Sequence, residues 1–157
     1  HMVSDYLLSD GLGIAINVNK DEADWIFSYG DIVDFYLNGA FFTNQITNPF
    51  MTGTTVTDCL IGNNRVRIGL PSETYLPLES RKVIREFLES FGLNPKICLV
   101  LWIDKDNLLT PTFNIVPEMF KQTDTESFQS FLKFFQWYFP RHYKVICMKE
   151  NEHFESL

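Results

Sequence analysis

Cysteine is scarce in this sequence, and no two cysteines have the spacing of a metal or redox motif. The three thiols belong to Cys59, Cys98 and Cys147, and the last two lie in apolar runs that are typical of buried strands. An odd number of unpaired thiols fits a reducing compartment and argues against a disulfide framework. We therefore expect a cytoplasmic protein whose fold does not depend on disulfides.

The chain also lacks long apolar runs and an excess of positive charge. Its longest apolar run, residues 97–103, has the length of a strand, whereas a membrane span needs about 20 residues. Lysine and arginine number 13 against 20 acidic residues, for a net charge of −7. Nucleic acids and anionic membranes both select basic surfaces, so we expect neither as a partner. An acidic domain can be merely soluble, or it can complement a basic protein surface.

The common catalytic motifs are missing as well. The sequence has no phosphate-binding GKS or GKT, no HExxH and no GxSxG, which are the signatures of several large enzyme classes. Cys59 with His142 is the one nucleophile–base pair we can conceive. Asp104 and Asp106 lack the glycine and distal glutamate of a calcium loop. We predict no catalytic residue, no bound metal and no cofactor.

What the chain does contain is a regular alternation of strand-like and helix-like segments. A length of 157 residues fits one domain, and the pattern predicts a single two-layer α+β domain over residues 3–150, with a mixed or antiparallel sheet. Its two main amphipathic helices are expected at 79–91 and 124–139. We interpret residues 1–2 as a cloning remnant and residues 151–157 as a frayed acidic tail.

The N-terminal part contains a predicted hairpin of strands 13–18 and 25–29, joined by a polar turn. Residues 31–39 leave two alternatives open. They fit a short helix that Asp31 caps, with apolar residues on one face, and they also fit a third strand.

Aromatic residues make up 15% of the chain, and 15 of them are phenylalanines. Aromatic side chains dominate both cores and interfaces, so a surplus on the surface would mark a contact site. The segment from Asp24 to Asp31 combines aromatic and acidic residues and is the most distinctive in the chain, although it also fits a structural hairpin with buried rings. We predict contact residues for a protein partner at Trp25, Tyr29, Asp31, Asp34 and Tyr36, and a second patch at Phe134 and Trp137.

A resemblance to known proteins is based on the segments Val66–Pro71 and Tyr75–Pro77 and on the elements that follow them. The succession of a strand with a glycine and a proline, a helix, the apolar strand 97–103 and a strand over 112–117 resembles the C-terminal region of SseB-like bacterial proteins. The resemblance implies a bacterial α+β domain and supplies no enzyme mechanism.

These observations together predict a non-catalytic, acidic protein-binding module. An immunity protein that neutralises a bacterial toxin by covering its basic active site is one example of such a module. The alternative is an SseB-like accessory or scaffold domain that acts through homo-oligomerisation, for instance as a homodimer.

Overall fold

A computed structural model describes residues 2–120 and 125–157 of the chain, with side chains from residue 5 onward. It contains both helices and a mixed sheet, so the predicted α+β class is confirmed. The helices are α1 Met2–Asp10, α2 Tyr29–Asn38, α3 Leu78–Glu89 and α4 Thr125–Phe135, with 3-10 turns at Pro117–Met119 and Gln136–Tyr138. The strands are β1 Ile14–Ile16, β2 Trp25–Phe27, β3 Thr57–Ile61, β4 Asn64–Gly69, β5 Lys96–Trp102, β6 Leu108–Phe113, β7 Ile146–Cys147 and β8 Glu155–Ser156.

The main sheet has the order β3-β4-β5-β6-β7, and β8 pairs with the start of β5. Neighbouring strands are antiparallel except for β6 and β7, which are parallel. Tight turns join β3 to β4 and β5 to β6, which explains their antiparallel pairing. The chain reaches β7 only after passing through α4, and this longer connection allows β7 to run parallel to β6.

Helices α3 and α4 cover one face of this sheet. Ile84 and Leu88 of α3 and Phe131 and Phe135 of α4 are buried against alternate residues of β5 and β6. The apolar stripes predicted from helical spacing therefore form the main core. Helix α3 spans Leu78–Glu89 and ends two residues before its predicted end, with Ser90 as its C-cap; Gly92 follows with a left-handed φ of 77°.

The second predicted helix is shorter than expected. Residue 124 lies outside the described residues, and the α-helix ends at Phe135, where a 3-10 turn over Gln136–Tyr138 takes over. Pro140 follows this turn, and a proline cannot continue an α-helix because its ring excludes the preceding helical conformation.

The C-terminal segment corrects the expectation of a frayed tail at 151–157. Glu155 pairs with Ile97 across β8 and β5, and Phe154 is buried in the apolar cluster on the second face of the sheet, beside Cys98 and Val100. An aromatic side chain that leaves water in this way stabilises the docked segment. Charge-based reasoning missed this single phenylalanine among acidic neighbours.

Residues before β3 form a separate N-terminal unit, which consists of α1, the β1–β2 hairpin and α2. The hairpin is confirmed, with Ile16 opposite Trp25, but it makes a small sheet of its own. Helix α1 was not predicted from the sequence. Its Leu8 is buried with Tyr29, Val33 and, from α3, Val83, so the unit docks on the helical layer of the main domain.

Residues 31–39 belong to helix α2, which decides between the two alternatives. Ser28 is the N-cap: its hydroxyl accepts from the backbone N–H of Asp31, and the Asp31 carboxylate accepts from the backbone N–H of Ser28. This reciprocal pair satisfies two backbone donors that the first turn leaves free. Asp31 is therefore the third helical residue and not the N-cap, and Tyr29 begins the helix where a strand residue was expected.

Tyr29 joins helices α1 and α2 of the N-terminal unit, and its ionisation should make the free energy of unfolding depend on pH. Its hydroxyl donates to the carbonyl of Leu8 at 2.7 Å, and burial raises its pKa from 10.0 to about 12. In the unfolded chain Tyr29 loses this proton about two pH units lower. Its contribution to the free energy of unfolding is therefore complete below pH 10 and falls as the pH rises from 10 to 12. At pH 11 the expected loss from Tyr29 alone is about 1.4 kcal/mol.

Urea unfolding followed between pH 9 and 11.5 measures this loss. Burial also raises the pKa of Tyr75 and Tyr143, so the total decline is expected to exceed the share of Tyr29. The variant Tyr29→Phe should show a shallower decline, and the exposed Tyr6→Phe should not. Parallel curves for all three proteins would contradict the assignment.

Candidate protein-binding surface

A group of partly exposed aromatic rings lies where the β1–β2 hairpin meets the segment after α2. We call it the aromatic patch and define it by Trp25, Phe27, Phe41 and Phe42. Trp25 and Phe42 meet edge to face with ring centroids 6.1 Å apart, and Phe27 stacks on Phe42 at 5.9 Å. Trp25 and Phe42 each leave 49% of their surface in water. Aromatic pairs in such geometries are favourable beyond their burial alone, so the rings support one another while half exposed.

Phe42 is held outward by an unusual backbone conformation. Its φ is +57°, a left-handed value that an aromatic residue rarely adopts. The next residue, Thr43, is fixed to the side chain of Asp34: its backbone N–H donates to Oδ2 at 2.8 Å, and its hydroxyl donates to Oδ1. The strained conformation therefore persists because hydrogen bonds from its neighbour to a helical carboxylate determine the path of the chain.

Arg141 joins the patch from the C-terminal half of the chain. Its Nε and Nη2 atoms donate to the two carboxylate oxygens of Asp31 at 2.8 and 2.9 Å. Its guanidinium carbon lies 4.8 Å from the centroid of Phe42 and 5.9 Å from that of Trp25. A planar fork on a carboxylate and a cation over a ring are both favourable arrangements for arginine. Asp31 raises the pKa of Arg141 further, mainly through its hydrogen bonds.

The predicted contact residues divide into exposed and buried ones. Trp25 and Tyr36 are exposed, as a contact site requires. Tyr29, Asp31 and Asp34 are buried, the two carboxylates at 1% and 2% exposure. This burial corrects the prediction that they are surface contacts in the isolated chain, because the carboxylates cap α2, pair with Arg141 and anchor Thr43.

The second predicted patch is reduced to one residue. Phe134 is 58% exposed on α4 and lies 5.7 Å from the ring of Phe87. Trp137 is instead half-buried and packs against the N-terminal unit near Gly13, where an added Cβ would lie 2.5 Å from its ring. Phe134 and Trp137 therefore do not form one surface.

Sequence reasoning missed four members of the site, Phe27, Phe41, Phe42 and Arg141. Phe42 stands next to Phe41 in a loop, and no pattern in the sequence indicates that its ring points outward. Arg141 lies 110 positions from Asp31, and spacing carries no information over that distance. The capping box was the signal that could have placed Asp31 inside the fold, since a serine stands three residues before it.

Charged residues are distributed unevenly along the sequence. Residues 1–64 carry eight acidic side chains and one basic one, Lys20, whereas residues 65–157 carry twelve of each. The entire net charge of −7 therefore arises from the part of the sequence that contains the N-terminal unit. Five carboxylates of the N-terminal unit are exposed, namely Asp5, Asp10, Asp21, Glu22 and Asp24.

Two of the three thiols are unsuited to nucleophilic chemistry. Burial raises the pKa of Cys98 and of Cys147 to about 12, so almost no thiolate exists at neutral pH. We expect a maleimide to modify both at least about a hundredfold more slowly than it modifies the partly exposed Cys59. Mass spectrometry of the native protein over time measures this, with urea-unfolded protein as the control. Rapid labelling of Cys98 would contradict it.

Among the described residues, no three or more His, Cys, Asp or Glu side chains lie together in an arrangement that could hold a metal ion. No described helix combines the length and apolar character needed to cross a bilayer. The surface with the most distinctive geometry is therefore the aromatic patch with its arginine and its acidic surroundings. No family model, curated protein or solved structure matches this chain.

Proposed function

We propose that this protein is a non-catalytic module that binds a partner protein with a basic surface. The observation that carries the proposal is the coincidence of two features on one unit. The aromatic patch exposes half of Trp25 and half of Phe42, and the same N-terminal unit belongs to the part of the chain that contributes the whole excess of negative charge.

The two features supply different parts of binding. The net negative charge of residues 1–64 attracts a basic partner over distances up to a Debye length and speeds the encounter. The exposed aromatic rings then hold the bound partner, because tryptophan and other aromatic side chains contribute much of the binding free energy at protein interfaces. The rings are already fixed by mutual contacts and by the Asp34–Thr43 hydrogen bonds, so little conformational entropy is lost on binding.

An immunity protein that covers the basic active site of a bacterial toxin is the kind of module that this combination supports best. Such an inhibitor needs to be small, acidic and preorganised, and it needs no reactive centre of its own. A nuclease toxin fits well as the partner class, because an enzyme that binds nucleic acid must present a basic surface.

Affinity capture with matched variants tests the proposal. The wild-type chain and a Phe134→Ala control are expected to recover the same basic protein from the native host, whereas a Trp25→Ala/Phe42→Ala double variant loses it. Recovery should weaken as salt is raised, since screening acts on the steering charges. Melting curves establish that each variant is folded.

Three results would overturn the proposal. One is equal recovery by the double variant, which would place the contact elsewhere. Another is a captured partner that is acidic, or whose association does not respond to salt. The third is sedimentation showing that the patch is covered by a second copy of this chain, which would support homo-oligomerisation instead.

A further inference from the structure

The corner formed by Asp31, Trp25 and Phe42 is a binding site for a guanidinium group. We infer that it is an arginine-recognition slot, filled in the isolated chain by Arg141, in which an arginine of the basic partner can take the place of Arg141. The exchange rests on the proposed function, since that partner supplies the second arginine.

The base of the slot has the geometry that a guanidinium requires. Asp31 is a buried carboxylate whose two oxygens receive parallel N–H bonds at 2.8 and 2.9 Å. Its position is fixed from below, because Oδ2 also accepts from the backbone N–H of Ser28 at 2.9 Å. A planar fork satisfies both oxygens at once, whereas a lysine ammonium acts as a single point charge.

The walls of the slot are the rings of Trp25 and Phe42, whose planes meet at 78°. Both present π-faces or edges within 6 Å of the guanidinium carbon. A cation between two rings is attracted by their quadrupoles, and arginine stacks on such faces better than lysine does. The walls therefore favour the same chemical group as the base.

Among the described residues, Arg141 is hydrogen-bonded to a single one, Asp31. Arg141 makes no described hydrogen bond other than those to Asp31, and 53% of its side chain is exposed. Its Nη1 atom faces no protein acceptor within hydrogen-bonding distance among the described residues. Rotation of the side chain into water hydrates the guanidinium group but breaks its ion pair with Asp31, so Arg141 is expected to leave only when another cation takes its place.

The buried charge determines what can replace it. If Arg141 leaves, the Asp31 carboxylate remains in a poorly hydrated position, and an unpaired buried charge is strongly unfavourable. A neutral group does not compensate it, whereas a second guanidinium restores the same charge and the same two hydrogen bonds. The net negative charge of residues 1–64 raises the local concentration of such cations. The slot thus selects arginine from among the groups on a basic surface.

Chemical rescue tests the slot without any partner. The Arg141→Ala variant is titrated with ethylguanidinium chloride, and with ethylammonium chloride at equal ionic strength. The readouts are the melting temperature and the Trp25 indole N–H signal, which a Trp25→Phe variant identifies. Ethylguanidinium is expected to raise the melting temperature and to shift the indole signal in a saturable way at millimolar concentration, and ethylammonium is not.

The Arg141→Gln variant, whose amide can still donate to Asp31, receives the same titration in case the alanine variant does not fold. An Asp31→Asn/Arg141→Ala double variant, which has no charge at the base, should not respond to either salt. Equal responses to the two cations, or none to either, in the folded variant would overturn the slot.

Exchange itself is measured on the wild-type chain. The Nε–H signal of Arg141 is followed by NMR while a tri-arginine peptide amide is added, with tri-lysine amide as the matched control. Tri-arginine is expected to move the Arg141 signal towards that of a free arginine, and tri-lysine is not. If neither peptide moves the signal, Arg141 is a permanent part of the fold, and if both move it equally, the site does not select arginine; either result overturns the inference. Such a result leaves variant-sensitive capture of a basic protein unaffected, so the two proposals fail separately.

Discussion

Replacement of Gly30 by alanine is expected to lower the free energy of unfolding by about 3 kcal/mol or more, as for severe overpacking. A Cβ at this position would lie 1.7 Å from the carbonyl oxygen of Phe139 and 2.1 Å from its carbonyl carbon. These atoms belong to the backbone and cannot rotate away, so α2 and the segment after the second 3-10 turn would have to separate. Urea unfolding measures the loss.

The direction of the stability change separates two effects of Gly30→Ala: contact with the Phe139 backbone destabilises the fold, whereas helix propensity alone would stabilise it. Gly30 lies inside helix α2, where alanine is normally more favourable than glycine by about 1 kcal/mol. Tyr36→Ala, at an exposed position of the same helix, serves as the control and should change stability little. A Gly30→Ala variant as stable as the wild type, or more stable, would show that the two backbones are not in contact.

Removal of Arg141 is expected to cost about 2–3 kcal/mol of folding stability. The change leaves the Asp31 carboxylate, which is 1% exposed, without its cation, and breaking a buried pair from one side typically costs about 3–5 kcal/mol. We take a lower value because Arg141 itself is half exposed and water can enter where it stood. Urea unfolding of Arg141→Ala gives the number.

A surface pair of similar geometry provides the control. Arg67 donates to Asp58 through Nε at 2.8 Å and Nη2 at 3.2 Å, with both side chains exposed. Arg67→Ala is expected to have little effect, because water solvates the remaining carboxylate. Asp31→Asn introduced into the Arg141→Ala background should recover part of the loss, since it removes the buried charge. Equal costs for the two arginines would contradict the burial argument.

The acidic and aromatic segment from Asp24 to Asp31 shows what residue patterns can predict and what they cannot. The pattern placed a hairpin and an exposed tryptophan correctly, because alternation and turn residues are local properties. It could not separate Asp24, which is exposed, from Asp31 and Asp34, which are buried. Asp31 is paired with Arg141 and Asp34 accepts hydrogen bonds from Thr43, and a carboxylate is rarely buried without partners of this kind.

The elements missed or misplaced by sequence reasoning have the same cause. Helix α1 contains two acidic residues and no pronounced apolar stripe, and it is held by one buried leucine and by the Tyr29 hydroxyl on its Leu8 carbonyl. The C-terminal segment is fixed by Phe154 and by pairing with β5. In both cases a few tertiary contacts outweigh the local signal, which averages over many residues.

The sequence by itself determined the α+β class, the two amphipathic helices and the negative charge, because each depends on composition or on short-range periodicity and needs no knowledge of tertiary contacts. The tertiary structure alone decided which aromatic rings remain in water and which carboxylates leave it. That choice depends on atoms brought together from distant parts of the chain: Phe42, turned outward by the Asp34–Thr43 bonds, and Arg141, drawn onto Asp31.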